Sequence, residues 1–177
     1  MDHLSDEQLI GIYRNDIDGQ GQVAFACLYN RYASKMLNFF FFTLHNDYNK
    51  AQDFVHDLFL KIIEKNEQFD NNQFFKSWIY RIASNMCNNE FRSNKVVQKY
   101  NEHVLSESEH LTSENETIND LRKCMRELDQ EQRSLIVLRF KMKLSVREIA
   151  EIYHCPEGTV KSRLFYATRE LSKLYKK

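Results

Sequence analysis

Thr159, Lys161, Ser162, Arg163 and Tyr166 lie within eight positions near the end of the chain, in the run PEGTVKSRLFYA at 156–167. Hydroxyls, an ammonium and a guanidinium at that spacing can donate to the base edges and phosphates of a duplex. A second cluster at 75–92 interleaves Trp78 and Tyr80 with Arg81, Ser84, Asn85, Asn88 and Asn89. Rings that stack on bases, beside amides that bond exposed base edges, suit a single strand. A core tryptophan with a solvated polar flank fits the same residues equally well. Covalent chemistry has no comparable candidate, because the sequence holds no glycine-rich phosphate loop and no nucleophile motif. Cys27, Cys87, Cys124 and Cys155 form no C-x-x-C pair, so no metal site, disulfide framework or cofactor is expected. His154 and Cys155 are neighbours without further ligands at metal spacing, and Glu148 with Glu151 reads as the solvated face of a capped helix. The chain is expected not to be an enzyme.

The residues that must hold the first cluster spell a helix-turn-helix. Ser145 and Glu148 make a capping box, Pro156 suits a first helical position, and Val160, Leu164, Ala167, Leu171 and Leu174 form an inward stripe. Upstream, Asp129 as N-cap with Gln132 starts a helix carrying Leu135, Ile136, Leu138 and Phe140, after a helix carrying Ile118, Leu121, Met125 and Leu128. In the first half, Ser5 and Gln8 box a first helix bearing Leu9, Ile10 and Tyr13. Phe25, Leu28, Tyr29, Tyr32, Met36 and Phe39 mark a second, in which the consecutive aromatics 39–42 cannot all point inward. A third, over 51–64, places Phe54, Val55, Leu58, Phe59, Ile62 and Ile63 inside and Asp53, His56, Asp57 and Lys61 outside. A polar loop at 66–73 contains Phe69 and leads to a fourth helix, 75–92, with Trp78, Ile82 and Met86 along one side. Apolar periodicity fails over 96–116, which reads as a flexible acidic linker. The fold expected is all-α, with two small helical domains at 1–95 and 117–177 joined by that linker.

The formal net charge of zero conceals a strong asymmetry. Residues 1–99 carry −1, residues 100–116 carry −5, and residues 117–177 carry +6. The basic end suits a polyanion, and 76–99 is locally basic as well. The polar start of the chain has no signal-peptide form, and the apolar run at 39–44 is too short to span a bilayer. A cytoplasmic protein without membrane insertion is expected.

Three motifs, in order, resemble bacterial RNA polymerase sigma factors of the extracytoplasmic-function type. SVREIA at 145–150 with GTVKSRL at 158–164 resembles region four, AQDFVHDLFLK at 51–61 the polymerase-binding helix of region two, and FKSWIYRIASN at 75–85 its promoter-melting helix. The resemblance implies a dissociable initiation subunit with core RNA polymerase, promoter DNA and an anti-sigma factor as partners. By the same carry-over, Lys161, Ser162, Phe165 and Tyr166 meet the minus-thirty-five major groove, alongside Thr159 and Arg163, with Pro156 and Gly158 allowing close backbone approach. Phe69, Asp70, Asn71 and Asn85 shape a pocket for a flipped minus-ten base, supported by Trp78 and Arg81. Asp53, His56, Asp57 and Phe59 form the polymerase contact. The chain departs from the family pattern in having His56-Asp57 where Gln-Glu is frequent, Tyr166 where Arg is frequent, and few cations at 88–94. A helix-turn-helix regulator with an N-terminal sensing or dimerisation domain is the alternative, and a structural adaptor a third class.

Overall fold

The computed structural model describes the backbone of residues 1, 3–100 and 116–176, and the side chains of these outside 94–119. Among them every regular element is helical. Helix α1 (Asp6–Asn15) starts on the expected capping box, with Ser5 and Gln8 exchanging hydrogen bonds. It ends at Asp16 in the left-handed region, φ 42°, and a 3₁₀ turn leads into α2 (Gly21–Thr43). The Gly21 amide donates to the Asp16 carboxylate at 3.0 Å, and a Cβ at Gly21 would lie 2.7 Å from that oxygen. Only glycine fits this corner without displacing the aspartate.

Helix α3 (Tyr48–Lys65) starts three residues before the expected 51, because Asp47 accepts from the Lys50 amide and caps it there. Helix α4 (Phe75–Tyr100) outlasts its expected end at Arg92, since no glycine or proline interrupts 93–100. Residues 96–100, expected in the linker, are therefore helical; 101–115 lie outside the described residues, and Glu116 opens α5 (Glu116–Glu127). Asp129 caps α6 (Gln130–Ile136) as expected, accepting from Gln132 at 2.9 Å. A π-turn at Val137–Lys141 precedes α7 (Val146–Tyr153) and α8 (Glu157–Tyr175).

The aromatic run at the end of α2 divides as its geometry demands. Phe39 and Phe40 are fully buried, edge-on to Tyr80 and Phe54, whereas Phe41 and Phe42 are half-buried and Phe42 lies beneath the Lys141 ammonium. With Leu9, Leu28, Met36, Leu58, Ile62 and Ile79 they fill the N-terminal core. Each such fully buried side chain contributes about 1.5–3 kcal/mol. Leu135, Val137, Leu138, Ile149, Val160 and Leu164 fill the C-terminal one, and the two cores join into one apolar cluster. The two helical units of the sequence are thus present, and they dock: α4 packs against α6 and α7, and α2 against the π-turn.

Arg133 of α6 pins that junction. Its side chain is 1% exposed and donates to the carbonyls of Met125, Arg126 and Leu128 at 2.8, 2.9 and 2.8 Å, closing the end of α5. It also reaches the Thr43 carbonyl of α2 at 3.3 Å, lies 3.0 Å from His45 Nε2, and sits over the Phe91 ring. These partners are carbonyls at helix C-termini, where a cation is favourable. Burial lowers the guanidinium pKa to about 10, which still leaves it charged at neutral pH.

Candidate nucleic-acid interface

The loop between α3 and α4 is set from α1. Arg14 donates to the Phe69 carbonyl at 3.3 Å and to Asn71 Oδ1 at 3.4 Å, and Glu7 accepts from the Phe75 amide at 3.0 Å, capping α4 from outside its own sequence. Asp70 Oδ1 accepts from the Asn72 amide at 2.9 Å, a local turn bond. Beneath, Phe69, Phe75 and Trp78 form a buried aromatic triad with centroids 5.3–5.9 Å apart. Asp70 and Asn71 are exposed above it, and Asn85 is exposed two turns along α4 from Trp78, about 10 Å. Phe69 and Trp78 therefore support this surface from below instead of lining it. Phe74, 59% exposed, adds an open ring that the sequence pattern did not single out. Arg14 and Glu7 were equally hidden, being about 60 residues away in sequence.

One expected face of α4 is not open. Tyr80 and Ser84 are 2% exposed, and Arg81 donates to the Ile152 and Glu151 carbonyls of α7 at 3.1 and 3.2 Å and to Gln73 at 3.1 Å. Small side chains at Ser77, Ser84 and Cys87 let the second unit approach, which alternation of polar and apolar residues could not reveal.

On α8 the inward stripe is as expected, with Val160 and Ala167 fully buried, Leu164 buried, and Leu171 and Leu174 half-buried. Lys161, Ser162, Phe165 and Tyr166 are exposed on the other side, Phe165 and Tyr166 at 60% and 61%. Pro156 is the N-cap instead of the first helical residue, since its ψ of 148° is extended. His154 makes the preceding turn in the left-handed region, φ 48°. A Cβ at exposed Gly158 would meet nothing in the chain, and Thr159 is half-buried. Arg163 is turned away from the open face, its guanidinium held by Glu131 of α6 in an exposed pair of small energetic value.

Helix α3 presents Asp53, His56 and Asp57 to solvent, the two aspartates one turn apart. Phe59 is corrected: at 4% exposure it packs on Phe25 and Tyr29 in the core and is not part of that surface. Leu60 and Ile63 take its place, 45% and 39% exposed, although Ile63 was expected inside. A mostly apolar cavity of about 380 Å³, lined by Phe42, Leu121, Met125, Phe140 and Leu171 with Arg126 and Lys141, opens where the two units meet.

Two titratable groups near the junction are displaced from their ordinary pKa values. Burial alone would raise the Glu148 pKa, but Lys76 at 2.6 Å and the Ser145 amide and hydroxyl outweigh it and hold the carboxyl down at about 2. His45 is pushed down to about 4, first by the water it loses against its neighbours, including the Phe91 ring stacked on it, then by the Arg133 cation. For His45 the opened or unfolded chain takes up the proton first, so stability falls as pH drops from 6.5 toward 4. The Glu148 contribution is present above 4.5 and is lost toward 2. The melting temperature is therefore expected to be flat near neutrality and to fall below pH 6.5, with His45→Asn removing the upper part of that fall. Superimposable pH profiles for the two proteins by circular dichroism would refute the His45 assignment.

Residues 28–96 match the family model for Sigma-70 region 2, and residues 124–173 match that for Sigma-70, region 4. The chain is 30% identical over 160 residues to the ECF RNA polymerase sigma-E factor of Haemophilus influenzae, covering 81% of this chain and 83% of that one. It is 28% identical over 169 residues to the ECF RNA polymerase sigma factor SigW of Bacillus subtilis, covering 86% and 89%. The sigma factor RpoE of Bartonella quintana, solved in complex with the anti-sigma factor NepR, superposes with a TM-score of 0.69 at 25% identity over 86% of this chain and 96% of that one. CnrH, solved with the cytosolic domain of CnrY, shares the fold at 20% identity and a TM-score of 0.67, over 96% of each chain. A region 2 unit followed by a region 4 unit defines a protein of the sigma-70 class. The chain belongs to the extracytoplasmic-function (ECF) RNA polymerase sigma factors.

Proposed function

We propose a division of labour among the three surfaces of this alternative sigma factor, which binds core RNA polymerase and directs promoter-specific transcription initiation. Helix α8 enters the minus-thirty-five major groove with Lys161, Ser162, Phe165 and Tyr166. The loop residues Asp70 and Asn71, with Asn85 and the open ring of Phe74, capture the melted minus-ten strand over the Phe69–Trp78 floor. Asp53, His56 and Asp57, extended by Leu60 and Ile63, dock on polymerase. The observation that carries this reading is the α8 face itself, two exposed aromatics beside a lysine and a serine over a buried aliphatic stripe. Residues 1–95 form the polymerase and minus-ten domain, 117–177 the minus-thirty-five domain, and 96–116 connects them across the end of α4.

The protein works in the cytoplasm; no described helix is long and apolar enough to cross a membrane. An anti-sigma factor restrains it, and the apolar cavity flanked by Arg126 and Lys141 suits an acidic amphipathic segment of such an inhibitor. The regulator alternative leaves the region 2 match without a role.

The two DNA surfaces separate by mutation. Lys161→Ala and Ser162→Ala are expected to weaken duplex minus-thirty-five binding by about 1–3 kcal/mol each, whereas Asn85→Ala impairs opening. Permanganate footprinting of holoenzyme on a cognate promoter reads the opening step. Unchanged thymine reactivity with Asn85→Ala would move the minus-ten site elsewhere.

A further inference from the structure

Helix α1 holds both ends of the loop assigned to the minus-ten strand. Arg14 bridges its start, one terminal nitrogen of the guanidinium donating to the Phe69 carbonyl at 3.3 Å and the other to Asn71 Oδ1 at 3.4 Å. Glu7, two turns earlier on α1, accepts from the Phe75 amide at the loop's end. A second arginine reaches the loop from α4, where Arg81 Nη1 donates to Gln73 Oε1 at 3.1 Å. A guanidinium has donors and no acceptor, so a carboxamide that meets one must turn its oxygen toward it. Asn71 and Gln73 are therefore both held with their NH2 groups directed away from the arginines, and among the described residues neither NH2 has an acceptor. The Asp70 carboxylate is turned back on the loop, its Oδ1 accepting from the Asn72 amide and the Asn72 side chain, both at 2.9 Å.

We propose that Arg14 and Arg81 are positioning residues for strand capture: by taking the amide oxygens of Asn71 and Gln73 they present both carboxamides as N–H donors, so that the captured base is selected by its acceptor atoms and Gln73 joins Asn71 in reading it. The inference rests on the promoter assignment above and adds the chemistry by which the loop selects. An untethered carboxamide is indifferent, because a half-turn about its last torsion exchanges donor for acceptor with little change in shape. Once the oxygens are committed to the arginines, the two amides offer donors only. Two donors suit a base edge with neighbouring acceptors, O6 and N7 of guanine or O2 and N3 of cytosine. On adenine and thymine the acceptors of the pairing edge lie beside an N–H, which such amides leave unpaired. Arg14, Asn71, Gln73 and Arg81 all belong to the first helical unit, so the arrangement is internal to it.

Capture of single-stranded minus-ten oligonucleotides by holoenzyme, with each position carried in turn as each of the four bases, provides the test. The position read by the loop is the one whose base preference Asn71→Ala abolishes, and there wild type is expected to prefer guanine or cytosine by about tenfold. Arg14→Met donates nothing and frees the Asn71 amide, so it should shrink that preference about three- to fivefold, whereas loss of mere support would weaken capture of all four bases by one common factor. Asn71→Asp and Gln73→Glu each keep the oxygen that faces the arginine and replace the NH2 by a second oxygen. Both should lose the preferred base by about tenfold and shift the preference toward adenine, whose amine they can accept. Circular dichroism confirms that each variant is folded. A common loss for all four bases with Arg14→Met, carboxylate variants that keep the wild-type preference, or a wild-type preference for adenine or thymine at that position overturns the positioning role and leaves the promoter assignment standing. If wild-type holoenzyme captures no strand, or Asn71→Ala abolishes no preference, the promoter assignment of the loop fails and the inference falls with it.

Discussion

Reversal of both exposed aspartates on α3, Asp53→Lys with Asp57→Lys, should abolish holoenzyme formation. Both carboxylates point to solvent one helical turn apart, and among the described residues no ion pair engages either of them. Helix α3 is held by Ala51, Val55, Leu58, Phe59 and Ile62 on its opposite side, so the substitutions leave the packing untouched. A basic partner surface that met two carboxylates would then meet two ammonium groups. Like charges brought together at an interface cost several kcal/mol, a loss of roughly a hundredfold or more in affinity. Size-exclusion co-elution with core polymerase reads the result, and far-ultraviolet circular dichroism confirms that the variant is folded. Retained co-elution of a folded double variant would place the polymerase contact on another face. The neighbouring Leu60→Ala, which removes the apolar part of the same stripe and leaves its charge unchanged, should weaken association without changing its salt dependence.

Arg133→Met should be strongly destabilising at the junction of the two units. Methionine fits the space but donates nothing, and four backbone carbonyls lose their donor: Met125, Arg126, Leu128 and Thr43. A buried acceptor left unpaired costs about 1–3 kcal/mol, and with partial rehydration of the α5 end the total should be about 3–5 kcal/mol. That is a large share of the stability of a typical domain. Arg133→Lys should recover only part of it, because an ammonium has three donors and cannot span both helix ends at once. Urea unfolding followed by tryptophan fluorescence, through Trp78, measures the difference. A loss below about 1 kcal/mol would mean that Arg133 is not the pin between the units.

Helix identities were legible wherever a local pattern decides them. Ser5, Asp129 and Ser145 announced their helices through side chains that reach only three residues ahead, and the stripe from Val160 to Leu174 announced its burial. Asp53, His56, Asp57, Lys161, Ser162 and Tyr166 were legible as outward positions for the same reason. Long-range placement was not. Periodicity assigns Tyr80, Arg81 and Ser84 to a polar flank, yet what covers that flank is a helix some 70 residues later. Periodicity places both Phe59 and Ile63 inside; it holds for Phe59, which only the family resemblance puts on the polymerase face, and fails for Ile63, because the position of α2 decides how wide the buried side of the helix is. Arg14, Glu7 and Arg133 carry ordinary surface chemistry in the sequence and become structural only through carbonyls and amides that no side-chain pattern records.

Cys87 turns the docking of the two units into something that can be timed. It is fully buried on α4, with Arg133 of α6 and Tyr153 of α7 both close enough to act on it electrostatically, and its burial pushes the thiol pKa far above the usual range. A thiol held in that form is inert to alkylating and oxidising reagents, which attack the thiolate. Any opening of α4 away from α6 and α7 would uncover it for the duration of the excursion. Its labelling rate, extrapolated to high reagent concentration, is then the opening frequency itself, so the wild-type chain carries its own stopwatch for the interval between one closed state and the next.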